Sequence, residues 1–317
     1  MFIRPAVVGD RLYVGSCSGY FHAIGRRDGA SVWIYDTSFD GAHGQFHGEM
    51  LIEGERIVVG TDAEGDGHLY AFDAGTGEVI WKQPAPGGFP ARILREGSRV
   101  YAVTMSGQVR CFELADGREI WRNGDSDGDR LLRSSIALTG GRVVASVRGL
   151  VRAIAADSGE TVWEAPIKDG PNTTLAVIGD AIYVGDLEGK LHRLASKDGK
   201  LLGSFEAEAP AYGTLQPIGD CLLALSGDTT LACVDPALDG VAWSRETASK
   251  WTTFNPLVLD DLVLAGTAAG EIHAMNRSTG ATVWTRELEG QIKSLLAVDG
   301  VLYVGTLGGI VSALPLH

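Results

Sequence analysis

The sequence predicts an all-β fold: a single eight-bladed β-propeller of four-stranded antiparallel blades over residues 1–317, its last blade three-stranded. Three observations predict it. A Gly-to-Trp ending recurs down the chain, as "RDGASVW" at Trp33, "GTGEVIW" at Trp81, "ADGREIW" at Trp121, "DSGETVW" at Trp163, "LDGVAW" at Trp243 and "STGATVW" at Trp284. Each ending closes a unit of about forty residues, within the range of propeller blades. Every unit holds short strand-like runs between Gly turns and leaves no room for a helix.

In chain order, a unit opens on an inner run: "IRPAVV", "GEMLIE", "PARILRE", "RSSIALT", "TTLAVI", "GTLQPI", "TFNPLVL" and "KSLLAV". A turn and a second strand follow each: "DRLYVG", "ERIVVG", "SRVYAV", "GRVVAS", "DAIYVG", "DCLLAL", "DLVLAG" and "GVLYVG". Eight openings and eight second strands make eight units. A third strand such as "HLYAFDA" comes after a Gly-containing turn, and the Gly-to-Trp strand closes the unit. One sheet of this length cannot hide both faces, so the units stack, and radial closure leaves the fewest edges.

The ending places one indole at the same point of each blade. Trp33, Trp81, Trp121, Trp163, Trp243 and Trp284 are therefore expected between sheets, each N–H reaching a polar group of the neighbouring blade. The competing reading, a stacking platform for bases or sugars, needs the rings exposed on one surface. Only Trp251 of the seven tryptophans lies outside the pattern. The fifth unit departs from it: "KDGKLLGSF" has Gly203 in the Trp position, leaving Phe205 or Leu202 to fill that junction. The eighth unit stops at "GGIVSALPLH", before any Gly-to-Trp strand, while the N-terminus reaches the first inner run by Ile3. Blade eight is thus expected to present an open edge, blunted near its end by Pro315, and such an edge invites another strand.

Composition bounds the partners. Forty-three glycines and 21% charged residues fit many tight turns. A net charge of −13 with a pI near 5.0 repels nucleic acid and anionic membrane surfaces. No apolar run approaches a membrane span and "MFIRPAVVGD" holds no signal segment, so the chain reads as cytoplasmic, or as exported if it is cut from a longer exported protein. The four cysteines are too few for a disulfide scaffold. Cys17 and Cys111 fall in apolar strand patterns and read as buried thiols, while Cys221 and Cys233, on adjacent runs, could bridge across strands. No Cys/His spacing suggests zinc.

The connections from one unit to the next are rich in aromatic and hydrogen-bonding residues. Phe46, Phe89, Arg92, Arg133, Asn172, Tyr212, Trp251 and Lys293 are the candidate partner-binding set, since Arg, Tyr and Trp on loops dominate binding hot spots. The alternative is that the aromatics are buried anchors. Arg92, Arg133 and Lys293 would bind an anionic group if they converge near the axis. In "HGQFHGE", His43, His47 and Glu49 are candidate acid-base groups or metal ligands, although Gly44 and Gly48 argue against the helix that would align both imidazoles. Asp62, Glu64, Asp66 and Asp73 match the spacing of a calcium loop with Gly67 at the sixth place, but Glu is unusual at the third, and a polar hairpin turn explains the run as well.

The stretch "YAFDAGTGEVIW" (70 to 81), with "RAIAADSGETVW" (152 to 163) and "HAMNRSTGATVW" (273 to 284), resembles the quinoprotein-type, or PQQ-like, β-propeller repeat and its Ala-x-Asp-x-x-Thr-Gly-x-x-x-Trp signature. The resemblance covers essentially the whole chain, and it is similar to the outer-membrane assembly scaffold type of propeller. Quinoprotein dehydrogenases of this fold are longer, hold their quinone against an adjacent-cysteine disulfide and use a carboxylate-bound calcium. This chain has no Cys-Cys pair, so neither the quinone nor that activity is expected here, and a structural calcium is at most an alternative. A "G-x-S-x-G" nucleophile elbow is also missing.

Two functions follow. The first is a noncatalytic scaffold that holds a protein or peptide on the loop face around the axis. The second is an enzyme with a small-molecule site in the axial funnel, using His43, His47 and Glu49 with Arg92 or Arg133 orienting an anionic substrate. A sensor module of a larger signalling protein is a third reading, since PQQ-like propellers also occur as receptor domains.

Overall fold

Residues 4–41, 44–125, 135–147, 149–168, 170–171, 173–206, 211–226, 228–253 and 255–316 are described by the computed structural model, the side chains of residues 211, 212 and 226 excepted. Alternating apolar and polar residues between Gly turns give four adjacent antiparallel strands per unit. Blade one is Ala6–Val8, Arg11–Gly15, Tyr20–Gly25 and Ser31–Asp36, hydrogen-bonded in that order. Six further blades repeat this meander, and the eighth has three strands, Ile292–Val298, Val301–Thr306 and Val311–Pro315. A one-turn 3-10 helix, Thr37–Asp40, interrupts the strand pattern in the first connection.

One row of paired residues runs across each blade and ends on the indole. In blade two it reads Leu51, Val58, Ala71, Trp81. Alanine faces the ring, and the register shifts by a bulge immediately after it, between Ala71 and Phe72. The same shift follows Ala23 and Ala153 opposite Trp33 and Trp163. A bulge bends and twists the strand, which helps aim the ring at the next blade.

Five of the six rings then meet two features of the next blade, whereas Trp284 is partly buried against the cluster between blades seven and eight. Trp33, Trp81, Trp121, Trp163 and Trp243 donate their Nε1–H to the carbonyls of Ala74, Leu114, Ala156, Ser196 and Arg277, at 2.9 to 3.1 Å. Each also lies against the turn glycine four residues before the next blade's indole, or its place. A Cβ on Gly77 or Gly117 would stand 2.6 or 2.5 Å from the ring of Trp33 or Trp81. The buried clusters accordingly lie between blades: one joins Leu94, Tyr101 and Trp121 of blade three to Ile136, Val143 and Ile154 of blade four.

Where blade five lacks its Trp, blade six has changed as well. Tyr183 Oη donates to Pro236 O at 2.8 Å, the bond that Tyr13 and Tyr101 make to Ala74 O and Ala156 O beside an indole, and here it stands without the indole. Leu238, in the corresponding turn, is buried in the junction cluster with Phe205 packed against it, whereas Leu202 is exposed. Of the two residues expected to fill this junction, Phe205 does so.

The seam between blades eight and one is built differently. Its cluster of buried residues is Leu12, Val14 and Tyr303. Arg26 crosses it, donating from Nε to Tyr303 Oη at 3.0 Å and from Nη2 to Asp299 Oδ2 at 2.9 Å. Gly29 has the position and positive φ of Gly77 and Gly117, yet a Cβ there would meet nothing within 4 Å.

Two cysteine expectations change. Cys17 lies in the turn after Arg11–Gly15 and is only half-buried, because the apolar run ends at Gly15. Cys221 and Cys233 form a disulfide with a Cα–Cα distance of 5.6 Å, joining the second and third strands of blade six. Closing so short a loop is worth about 2–3 kcal/mol in chain entropy. Cys111 is buried as expected, and burial pushes its thiol up to about 12.

Candidate functional site

Strand direction alternates within a blade, so the turns between second and third strands share one face with the connections between blades. On this face the connection from blade one to blade two is fixed at several points. Thr37 Oγ1 donates to Gly19 O at 2.9 Å, and Gly44 N–H donates to Thr37 Oγ1 at 2.9 Å. Gln45 and Asp62 exchange both backbone hydrogen bonds, at 2.7 and 2.9 Å. Phe46 N–H donates to Ser16 O at 3.2 Å, and its ring is fully buried, stacked on Phe21 at 5.3 Å.

These anchors set His47 between two turns. Its Nδ1 is 2.7 Å from Asp62 Oδ1, and its Nε2 is 3.4 Å from Cys17 Sγ. Burial works against a charged imidazole, but the bonds to Asp62 and Cys17 outweigh it and raise His47 to about 9. Burial likewise opposes a Cys17 thiolate, but the contributions that favour it, the His47 bond the largest of them, together outweigh burial, so the thiol is lowered from its ordinary value. Burial lowers Lys293 from its ordinary value, against an opposing influence of Cys17. Nearby, burial opposes ionisation of Asp40, but Lys82 and the hydroxyls of Tyr35 and Tyr70 outweigh it and hold the carboxyl low.

A folded-state value raised above that of the unfolded chain stabilises the fold below the ordinary imidazole range, and the contribution is lost as pH rises through the folded value. The His47 ring signals are therefore expected to titrate near 9 by NMR. Thermal stability should fall from about pH 6.5 upward through that value. Asp62→Asn should move the titration back toward neutrality and flatten the fall.

A second polar group crosses the ring. Asn255 Nδ2 donates to Glu49 Oε1, and Thr214 Oγ1 donates to Asn255 Oδ1 at 2.9 Å. These residues precede or lie in the inner strands of blades two, seven and six, so the chain spans the central opening. Glu49 and His47 thus serve different partners.

The remaining candidates are dispersed. Phe89 is fully buried between blades two and three, with the Arg110 guanidinium 5.9 Å above its ring. Trp251 is buried too, donating to Thr229 O at 2.8 Å with its ring edge-on to His273 at 5.2 Å. It lines a crevice with Thr214, Leu225, Leu231 and Pro256. Bulky aromatics in short connections are drawn inward by the apolar area they remove from water, so Phe46, Phe89 and Trp251 do not offer their rings to a partner. Arg92 is exposed and Lys293 half-buried. His43, Arg133, Asn172 and the side chain of Tyr212 lie outside the described residues.

The 62–67 segment is the tip of a hairpin extended by pairing with the fourth strand, Asp62 opposite Gly88 and Asp66 opposite Pro86. Asp62 serves His47, Asp73 accepts from Thr76 N–H at 2.7 Å, and Glu64 and Asp66 are exposed. Among the described residues, no three His, Cys, Asp or Glu side chains stand together as a metal site requires.

Sequence reasoning missed the roles of Cys17, Asp62, Asn255 and Thr214. A signal existed for the first two. "VGSC" and "VGTD" close the second strands of adjacent blades, so Cys17 and Asp62 hold equivalent positions, and the connection carrying His47 passes between them.

Comparison with known proteins accords with this architecture. The family model described as outer membrane protein assembly factor BamB matches residues 2–146, 39–174, 147–294 and 227–315. The chain is 23% identical over 338 aligned residues to outer membrane protein assembly factor BamB of Shewanella oneidensis, across 99% of this chain and 84% of that protein. The crystal structure of BamB from Moraxella catarrhalis superposes with a TM-score of 0.77 at 20% identity, covering 99% of this chain and 98% of that one. Quinohemoprotein alcohol dehydrogenase from Comamonas testosteroni superposes with a TM-score of 0.74 at 15% identity, covering 95% and 69%. The structural likenesses show a shared propeller. The family match runs from residue 2 to residue 315, and the chain belongs to the PQQ-like propeller family of outer membrane protein assembly factor BamB.

Proposed function

We propose that this protein is a noncatalytic protein-binding scaffold in outer-membrane protein assembly, and that its loop face around the propeller axis holds the protein or peptide partner. The family match along nearly the whole chain carries the first part. The loop face is favoured by where apolar surface remains. Phe39 is 83% exposed, and Leu187, Leu307 and Ile310 are exposed in turns on the same face. The other large exposed apolar side chains are on fourth strands, as in Val32, Ile34 and Val283. On blades one and eight, which adjoin at the seam, Phe39, Leu307 and Ile310 favour this face as the interaction surface.

Outer-membrane assembly takes place beyond the cytoplasm, so the cytoplasmic expectation gives way to export, which suits the Cys221–Cys233 disulfide. The enzyme reading is disfavoured because His47 and Glu49, the pair it needs together, are bound to different partners, Asp62 and Asn255.

Two experiments test the two parts. Deleting the gene in its own organism should lower the level of folded outer-membrane barrel proteins, and an unchanged level would overturn the scaffold. A photocrosslinker at position 39, on the loop face, should then trap a partner polypeptide that one at position 55, in a turn on the opposite face, does not. Adducts at 55 alone would overturn the loop face and leave the scaffold standing.

A further inference from the structure

We propose that Cys17, His47 and Asp62 form a thiolate–imidazolium–carboxylate site, and that Cys17 is a nucleophile toward small-molecule disulfides. The three side chains come from two turns and the connection between them. Their contacts run in series, Cys17 Sγ to His47 Nε2 at 3.4 Å and His47 Nδ1 to Asp62 Oδ1 at 2.7 Å. A carboxylate on one ring nitrogen fixes the orientation of the other, which is the arrangement that activates a nucleophile.

The site is fixed by its surroundings. The paired backbones of Gln45 and Asp62 hold imidazole and carboxylate together, and the bond from Phe46 N–H to Ser16 O holds both against the Cys17 turn. The buried Phe46 ring anchors this segment from below, and Gly48 is pressed so closely on Ala91 that a Cβ would stand 2.2 Å from its carbonyl oxygen. Cys17 is half-buried rather than enclosed, unlike Cys111.

Geometry also selects the reaction. Acyl transfer needs preorganised donors for an oxyanion, whereas thiol–disulfide exchange needs only a thiolate and access. The Cys17 thiolate attacks one sulfur of the reagent, a new S–S bond forms as the old one breaks, and the displaced sulfur leaves as a thiolate that takes a proton from solvent. The reagent disulfide is the oxidant, Cys17 being oxidised as one reagent sulfur is reduced to the departing thiol, and the product is a mixed disulfide on Cys17.

Cys111 supplies a control in the same molecule, being buried with its thiol pushed up to about 12. The protein is incubated with oxidised glutathione at about pH 6, where an ordinary thiol is almost wholly protonated. Adducts are mapped and timed by mass spectrometry. Cys17 is expected to react at least about tenfold faster than N-acetylcysteine, with Cys111 unmodified. His47→Gln and Asp62→Asn should each slow it about tenfold, with melting temperatures measured alongside. Reaction of native Cys17 at the rate of N-acetylcysteine would overturn the proposal, and that measurement needs no variant to fold. Native rates in both folded variants would overturn it as well.

Discussion

Replacing Trp81 by Ala will lower the unfolding free energy by about 3–5 kcal/mol, the cost of emptying a site filled by a large aromatic ring. The ring is 7% exposed and packs with Leu69, Ala71, Val100 and Phe112, so residues of both blades line the void. The substitution also strips the Leu114 carbonyl of its indole donor, a bond of 3.0 Å. Trp81→Phe keeps most of the packing and loses mainly that bond, so its cost should be about 1–2 kcal/mol. Urea titration separates the two by midpoint. Equal midpoints would mean that the ring is not what joins blades two and three.

Gly117→Ala should cost nearly as much, about 2–4 kcal/mol, although it adds a single methyl group. Gly117 has φ of +72°, and the new Cβ would stand 2.5 Å from Trp81 Cδ2. Backbone strain and ring clash are separable with Gly97→Ala, where φ is +60° but nothing lies within 4 Å, so that only about 1–2 kcal/mol is expected. In a Trp81→Ala background the clash disappears, and Gly117→Ala should then cost no more than Gly97→Ala. A double-mutant cycle with no coupling would contradict direct contact between that glycine and that ring.

The ring of blades was legible because its cause is repeated. A strand period of two, a Gly turn and one indole per unit recur often enough that a single weak occurrence, such as "LDGVAW", is carried by the rest. The three strands of the eighth blade were equally legible, each an apolar run bounded by a Gly turn. The repair at blades five and six was half legible: the missing Trp stands out in the sequence, but Leu238, which fills the junction with Phe205, belongs to the next unit. The site was harder to read. Phe46, Phe89 and Trp251 are the same residue types whether they anchor a loop or greet a partner, and only burial distinguishes them. Phe39 was passed over although it is the exposed one. Cys17 and Asp62 lie forty-five positions apart and meet only through His47, so their one signal was their equivalent place in adjacent repeats rather than any local spacing.

The seam at Gly29 gives the ring a clasp. Five junctions are riveted by an indole that both fills space and donates a hydrogen bond, whereas blades eight and one are held by a small buried cluster and by Arg26 reaching Tyr303 and Asp299. A closed ring has no end from which to peel, but one with a single weak fastening does. Unfolding should therefore travel rather than strike everywhere at once: the seam parts first, and the newly bared faces of blades eight and one then loosen their neighbours in turn. Amide exchange would record this as protection rising from both sides of the seam toward the far blades, and a propeller of nearly identical parts would thereby acquire a direction.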